Sequence, residues 1–254
     1  MANGVTRCAV VTGASGAIGT AIAEGLKAQG QSIVTVDKVS PRSRSSDDIH
    51  YGLDLTDMDA TIAVANTIAK NHRPTTFVHC AGAVYEAPLE RVDASSLKDA
   101  LHVFLGAAVW FVQAMQEEMR LCGHGRIVLI GSRAILGMPG RTAYSAAKAG
   151  MTGLLTTWAL ELAPHGITVN MVSPGPIDTP MLREALGDEG ARSAAARIPL
   201  ARLGDPQDVA RAVAFFATEE NDWVTGQNLF VCGGTSVAGV SVAPIGTSKV
   251  QNDA

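Results

Sequence analysis

A chain of 254 residues, of which 47% are hydrophobic, is long enough to form one large domain with a well-buried core. Its formal net charge of -4 provides no basic surface to hold nucleic-acid phosphates or an anionic membrane, so neither is expected as a partner. The four cysteines and six histidines do not occur at metal-ligand spacing, which predicts no metal site.

Short apolar, β-branched runs recur along the chain and are separated by helical patterns. This alternation predicts an α/β fold, a doubly wound parallel sheet of the Rossmann type with helices on both faces. A weaker strand, Ile49–Leu53, follows a polar loop at Ser40–Asp48, and no helix is expected between Asp37 and Asp54. The main strands are predicted at Cys8–Thr12, Ser32–Asp37, Thr75–Cys80, Arg126–Ile130, Ile167–Val172 and Asn228–Val231.

Five helices are predicted from the spacing of apolar residues between these strands. In the last helix, Asp205 is the expected N-cap and Pro206 the first helical residue. The histidines, which fall in no recognisable motif, are expected at the surface or at strand ends. The helices are predicted at Ile18–Gln29, Asp57–Asn71, Ser95–Leu121, Thr142–Ala163 and Pro206–Thr218.

The two ends of the chain add little to the fold. The apolar run near the N-terminus ends at Gly13 and is too short for a secretion signal or a membrane span, which favours a cytoplasmic protein. No repeat or linker marks a second domain, so residues 1–254 are interpreted as one domain. Residues 239–254 are expected to be a flexible tail or an assembly arm.

A glycine-rich turn, TGASGAIG, runs from Thr12 to Gly19, directly after the first strand, and opens the first helix. Positions without side chains let a pyrophosphate approach the exposed backbone N–H groups of a helix N-terminus. An ordinary strand-to-helix turn is the alternative. The residues predicted to bind a dinucleotide here are Gly13, Ser15, Ala17, Ile18 and Gly19.

Asp37 ends the second strand, about twenty residues beyond the turn, where a carboxylate accepts hydrogen bonds from the adenosine ribose hydroxyls. The same carboxylate would repel a 2′-phosphate, and the turn contains no Lys or Arg to offset that repulsion. The sequence therefore favours NAD over NADP. Lys38, Arg42 and Arg44 are the opposing evidence, and a solvated strand-end Asp37 is the alternative.

Tyr144 and Lys148 are four residues apart and so lie on one face of a predicted helix. A cation close to a phenol lowers its pKa, which makes the phenol a usable proton shuttle near neutral pH. Ser132 follows the strand Arg126–Ile130, at the edge of the sheet where ligands of open α/β folds bind. A surface pair of Tyr144 and Lys148 is the alternative.

With these motifs the chain resembles the short-chain dehydrogenase/reductase family from about Arg7 to about Gly234. The resemblance implies that Tyr144 transfers a proton, that Lys148 binds the nicotinamide ribose and lowers the Tyr144 pKa, and that Ser132 orients the substrate. It also implies a homo-oligomer, with a tetramer as the expected form. Trp110 and Phe111 are candidates for subunit contacts, with a place in the core as the alternative.

The resemblance extends to further coenzyme contacts. Asp54, followed by Leu55, is similar to the residue that contacts the adenine in this family. The segment from Pro174 to Thr179 resembles the one that receives the nicotinamide, with Ile177 near the carboxamide. The remaining contacts implied by the resemblance are Cys80, Ala81, Gly82, Pro174, Gly175 and Thr179.

Four residues depart from the family pattern. Ala17 replaces the second glycine of the turn, Cys80 replaces the Asn of Asn-Ala-Gly, and Cys232 replaces an Asp. Phe104 replaces a helix Asn that, in the family, helps to hold a water linking the Lys to solvent. Since Phe104 keeps its main-chain carbonyl, the water path is expected to survive.

The resulting function is an oxidoreductase that transfers a hydride between NAD(H) and a secondary alcohol or ketone. A 3-oxoacyl-thioester reductase and a dehydrogenase of cyclic alcohols or dihydrodiols are alternatives within this class. A non-catalytic dinucleotide-binding regulator is the alternative from another class, supported by Phe104 and Cys80. The segment Met181–Leu203, expected to cover the substrate, does not identify it.

Overall fold

The computed structural model describes residues 7–41, 48–83 and 85–238. Its centre is a sheet of seven parallel strands in the order β3-β2-β1-β4-β5-β6-β7. The predicted doubly wound parallel sheet of the Rossmann type is therefore confirmed. The strands are β1 Cys8–Thr12, β2 Ser32–Asp37, β3 Ile49–Gly52, β4 Thr76–His79, β5 Gly125–Ile130, β6 Ile167–Pro174 and β7 Asn228–Val231.

The two faces of the sheet pack against separate sets of helices. Successive residues of β5 show this, because Ile127 belongs to one hydrophobic cluster and Val128 to the other. Both residues are fully buried, as expected for a parallel strand covered on both sides. The helices are α1 Ala17–Ala28, α2 Met58–His72, α3 Ala94–Leu101, α4 Ala107–Cys122, α5 Thr142–Leu162, α6 Pro180–Ala196 and α7 Pro206–Ala217.

The helix predicted at Ser95–Leu121 is present from Ala94 to Cys122, but it is not a regular α-helix throughout. It is divided into α3 and α4 by a π-helical turn at His102–Gly106. This turn buries the consecutive residues Val103 and Phe104 together. A regular helical pattern in the sequence cannot show such a local widening, which occurs frequently at functional sites.

Helix α6 was not predicted, because its sequence has no regular apolar stripe and only Ala191 is buried. Thr179 caps its start, with the hydroxyl accepting a hydrogen bond from the Leu182 amide at 3.2 Å. Gly187, with φ of 64°, interrupts the helix. The segment expected to cover the substrate is thus mostly helical.

The other elements agree with the sequence to within one or two residues. Asp205 caps α7 in a capping box with Asp208, and Pro206 is its first residue. No helix occurs in the described residues 37–41 and 48–54, whereas most of the loop Ser40–Asp48 and the whole tail 239–254 lie outside the described residues. Within the described ranges, no helix has the length and apolar character needed to span a membrane.

Candidate active site

The predicted site residues meet at the carboxyl edge of the sheet. Strand order reverses between β1 and β4, and ligands of open α/β sheets bind at such a switch point. The glycine-rich turn follows β1, the Cys80–Gly82 turn follows β4, and Ser132 follows β5. The fold thus brings together segments that are far apart in the sequence.

Two glycines of the turn occupy positions that exclude a side chain. Gly13 has φ of 67°, and a Cβ atom there would lie 2.5 Å from the Cα atom of Ala81. A Cβ atom at Gly19 would overlap the main-chain oxygen of Gly13. Gly16 is the N-cap residue of α1, which begins with Ala17 and Ile18. Because glycine has no side chain, no side-chain acceptor caps the first N–H groups of this helix.

Asp37 is tied directly to this turn. One carboxylate oxygen accepts a hydrogen bond from the Ser15 amide at 3.0 Å, and the other accepts one from the Val39 amide at 3.3 Å. The Ser15 hydroxyl donates to the Val39 carbonyl, which closes the connection between the two segments. The half-buried carboxylate is therefore held beside the end of β1, as the sequence predicted.

Asp54 is exposed and forms an ion pair with Lys38, whose Nζ atom lies 2.7 Å from the carboxylate. It also accepts hydrogen bonds from the amide and hydroxyl of Thr56. The contact with Lys38 is the largest reason that the pKa of Asp54 is lowered to about 2. Leu55 is buried, and a contact between Asp54 and adenine stays a prediction.

Tyr144 lies at the start of α5, half-buried and close to Ser132. Burial raises the pKa of Tyr144, while a hydrogen bond with Ser132 and the positive charge of Arg141 oppose that rise. The sequence predicted that Lys148 would lower this pKa. Burial outweighs the opposing hydrogen bond and charge here. The effect of Lys148, whose Nζ atom lies 5.9 Å from the centre of the Tyr144 ring, stays a prediction.

Lys148 lies one turn further along α5 and is almost completely buried. Its ammonium donates a hydrogen bond to the Ile130 carbonyl at 2.5 Å. The Nζ atom lies 4.3 Å from the centre of the Phe104 ring and 5.9 Å from that of Tyr144. Burial lowers the pKa of Lys148 to about 8.

His79 ends β4 and was not singled out by the sequence as a site residue. It is fully buried, with Nδ1 at 2.9 Å from the Thr12 hydroxyl and Nε2 at 3.0 Å from the Val103 carbonyl. Thr12 in turn accepts a hydrogen bond from the Ala81 amide at 3.2 Å. Because burial lowers the pKa of His79 to about 3, its imidazole is neutral and links β1, β4 and the π turn.

The main-chain carbonyl of Phe104 also faces His79, as a hydrogen-bond acceptor that favours its protonated form. This carbonyl was expected to hold a water beside Lys148, and His79 competes for it. A histidine at the end of a strand gives no sequence signal for these contacts, because Val103, whose carbonyl lies 3.0 Å from Nε2, is 24 residues away in the sequence.

The segment after β6 forms the remaining side of the site. The Gly175 amide donates to the Val231 carbonyl at 2.9 Å, and a Cβ atom at Gly175 would lie 2.8 Å from the Cα atom of Cys232. Ile177 is buried and pairs with Gly204, and Thr179 begins α6. Pro174 ends β6. The segment is therefore fixed on both sides before it leads into α6.

Comparison with known proteins agrees with this geometry. A family model described as Enoyl-(Acyl carrier protein) reductase matches residues 13–236, which include all of the turn except Thr12, together with Ser132, Tyr144 and Lys148. The chain belongs to the short-chain dehydrogenase/reductase family. The predicted family is confirmed, and the coarse activity of the chain is that of an oxidoreductase of this family.

Three similar members illustrate the range of this family. The Short-chain reductase protein NovJ of Streptomyces niveus is 35% identical over 89% of this chain and 92% of its own length. The 3-oxoacyl-(acyl-carrier-protein) reductase FabG of Escherichia coli strain K12 is 36% identical over 90% of this chain and 96% of its own length. A solved 3-oxoacyl (acyl-carrier-protein) reductase from Agrobacterium tumefaciens C58, with NADP bound, is 29% identical and has a TM-score of 0.83. The match covers 89% of this chain and 93% of that chain.

Proposed function

We propose that this short-chain dehydrogenase/reductase transfers a hydride between NAD(H) and a secondary alcohol or ketone, with Tyr144 moving the hydroxyl proton. The observation that carries the proposal is the meeting of Ser132, Tyr144 and the buried Lys148 beside the glycine-rich turn. When bound, the coenzyme accepts or donates the hydride, so the protein itself needs no nucleophilic side chain for this reaction.

The chain's own residues divide the remaining work. Ser132, whose hydroxyl faces Tyr144, orients the oxygen of the substrate. Tyr144 gives a proton to that oxygen in reduction and takes it back in oxidation. Lys148 places a cation beneath Tyr144 and binds the nicotinamide ribose. The backbone cradle at Gly13 and Gly19, which a Cβ atom would fill, fits the pyrophosphate.

NAD is the proposed coenzyme because Asp37 holds its carboxylate at the end of β2, where a 2′-phosphate would meet it. Lys38, the nearest candidate to neutralise that phosphate, is paired with Asp54. NADP bound in similar solved structures, among them the one from Agrobacterium tumefaciens, opposes this choice.

Two substrate classes have specific support. The similarity to FabG favours a 3-oxoacyl thioester. The described residues between Asp37 and Asp54 contain no helix, a feature in which the chain resembles dihydrodiol-type members of the family and which supports a cyclic alcohol or dihydrodiol. A secondary alcohol or ketone remains the broader proposal that includes both.

The test is a panel of secondary alcohols with NAD, and of ketones and 3-oxoacyl thioesters with NADH, followed at the nicotinamide absorbance. We expect turnover with at least one class and loss of turnover in Ser132→Ala. Coenzyme binding without any turnover would favour the non-catalytic regulator to which Phe104 and Cys80 point.

A homo-oligomer, with a tetramer as the expected form, is also proposed. Phe111 is fully buried and stacks on Phe77 at 5.4 Å, so its place is in the core rather than in a subunit contact. Trp110 is only half-buried and remains a candidate for such a contact. Light scattering coupled to size-exclusion chromatography tests the oligomer directly.

A further inference from the structure

The buried ammonium of Lys148 has few partners to replace the water it has lost. Its one hydrogen bond among the described residues goes to the Ile130 carbonyl, and no carboxylate forms an ion pair with it there. A buried cation without compensating contacts is strongly unfavourable. Any further contact that attracts the ammonium would therefore favour the charged form of this side chain.

The Phe104 ring occupies the position to do so. The Nζ atom of Lys148 lies 4.3 Å from the ring centre, well inside the range in which the negative face of an aromatic ring attracts a cation. Phe104 is fully buried, which removes the water that would screen this attraction. Contacts of this kind are stronger when they are desolvated.

Other contacts keep the ring in place. The rings of Phe104 and Tyr144 pack edge to face, with 5.4 Å between their centres and an angle of 87° between their planes. Tyr85 packs against it at 6.3 Å, also edge-on. A Cβ atom at Gly82 would lie 2.7 Å from the ring, so glycine at that position leaves room for it.

We infer that Phe104 is a positioning residue that holds the Lys148 ammonium against its ring face, in place of a hydrated polar side chain. The inference concerns the free chain and does not depend on the proposed substrate or coenzyme. It predicts that the electron density of the ring, and not only its volume, determines how readily Lys148 stays charged.

A Cys80 thiolate would favour the ammonium, but neither Cys80 nor the other titratable groups near Lys148 carry the charge to supply this effect at neutral pH. His79 and Cys80 face it from β4 and the turn that follows, and Tyr144 lies on its own helix. Burial lowers the pKa of His79 to about 3 and raises that of Cys80 to about 12. The pKa of Tyr144 is raised as well, so all three are uncharged near pH 7.

The test replaces Phe104 by phenylalanines carrying one, two or three ring fluorines, which weaken the negative face with little change of shape. The pKa of Lys148 is read by NMR from protein with labelled lysines, using Lys148→Met to assign the signal. We expect the pKa to fall stepwise, by roughly 0.5 to 1.5 units in total for the trifluoro ring. Phe104→Leu should lower it at least as far.

Phe111 provides a matched control, because it is equally buried but stacks on Phe77, with no Lys or Arg over its ring among the described residues. The same fluorinated series at Phe111 should leave the Lys148 pKa unchanged. The inference is overturned if the pKa stays constant across the Phe104 series, because the ring would then only fill space. Since the titration needs neither coenzyme nor substrate, failure of the proposed function would not affect it.

Discussion

The imidazole of His79 accepts a hydrogen bond from the Thr12 hydroxyl at its Nδ1 atom, 2.9 Å away, and is fully buried. In the neutral form Nε2–H donates to the Val103 carbonyl. Protonation would place an uncompensated charge in this fully buried link between β1, β4 and the π turn.

His79 should make the protein less stable as the pH falls. Its pKa is about 3 in the folded chain and ordinarily about 6.5, so between these values the unfolded chain binds a proton that the folded chain does not. Across that window, each unit by which the pH falls lowers the free energy of unfolding by about 1.4 kcal/mol. Urea unfolding between pH 7 and pH 4 measures the slope.

In His79→Gln the amide can make the same two hydrogen bonds but does not titrate. We expect the free energy of unfolding to depend less steeply on pH in this variant, with nearly one proton fewer taken up on unfolding. An unchanged slope would mean that His79 becomes protonated in the folded state without penalty.

Asp37 should determine the choice of coenzyme. Placing a 2′-phosphate against its carboxylate costs about 2–3 kcal/mol, on the scale of an unsatisfied polar group in a binding site, so NAD should be preferred at least tenfold. Steady-state kcat/KM with each coenzyme measures the preference. Asp37→Asn should reduce it, mainly by improving the use of NADP.

Asp54→Asn serves as the companion variant, because it releases Lys38 from its ion pair without changing Asp37. It should improve the use of NADP less than Asp37→Asn does. Equal kcat/KM values for the two coenzymes in the natural chain would contradict the role of Asp37.

Gly13→Ala should abolish coenzyme binding or folding. The substitution combines a positive φ with a Cβ atom 2.5 Å from the main chain of Ala81, and neither can be relieved by moving a side chain. Gly153→Ala is the matched control within α5, where an added Cβ atom meets nothing within 4 Å. It should raise stability by up to about 1 kcal/mol through better helix propensity.

Thermal unfolding and coenzyme titration of the two variants provide the measurement. If Gly13→Ala binds NAD as tightly as the natural chain, the turn does not approach the Ala81 main chain as closely as described.

The elements that the sequence could predict are those set by local patterns. Four of the five residues of β1, Cys8 to Val11, form an apolar run, and Asp205 with Pro206 marks the start of α7 by local capping chemistry. The proposed catalytic residues were also recognisable, because Tyr144 and Lys148 have a helical spacing and Ser132 follows a strand. These features need no knowledge of distant contacts.

The features that were missed depend on tertiary packing. The π turn at His102–Gly106 accompanies a contact between His79 and a distant carbonyl. Helix α6 has too few buried residues for a periodic signal. The pKa of Tyr144 depends on a balance of burial against charge, and only the charge can be read from the sequence.

Tyr144→Phe should separate proton transfer from coenzyme binding. The change removes the only phenol beside Ser132 among the described residues, while the ring that packs edge-on against Phe104 is kept. Removing a positioned acid or base typically slows turnover about 10²–10⁴-fold, so kcat should fall in that range or below detection. The dissociation constant for NADH should change little, because the backbone cradle at Gly13 and Gly19 is untouched. Stopped-flow turnover and fluorescence titration of NADH give the two quantities. A variant that keeps near-full kcat would show that another group moves the proton, and the proposed mechanism would then be wrong.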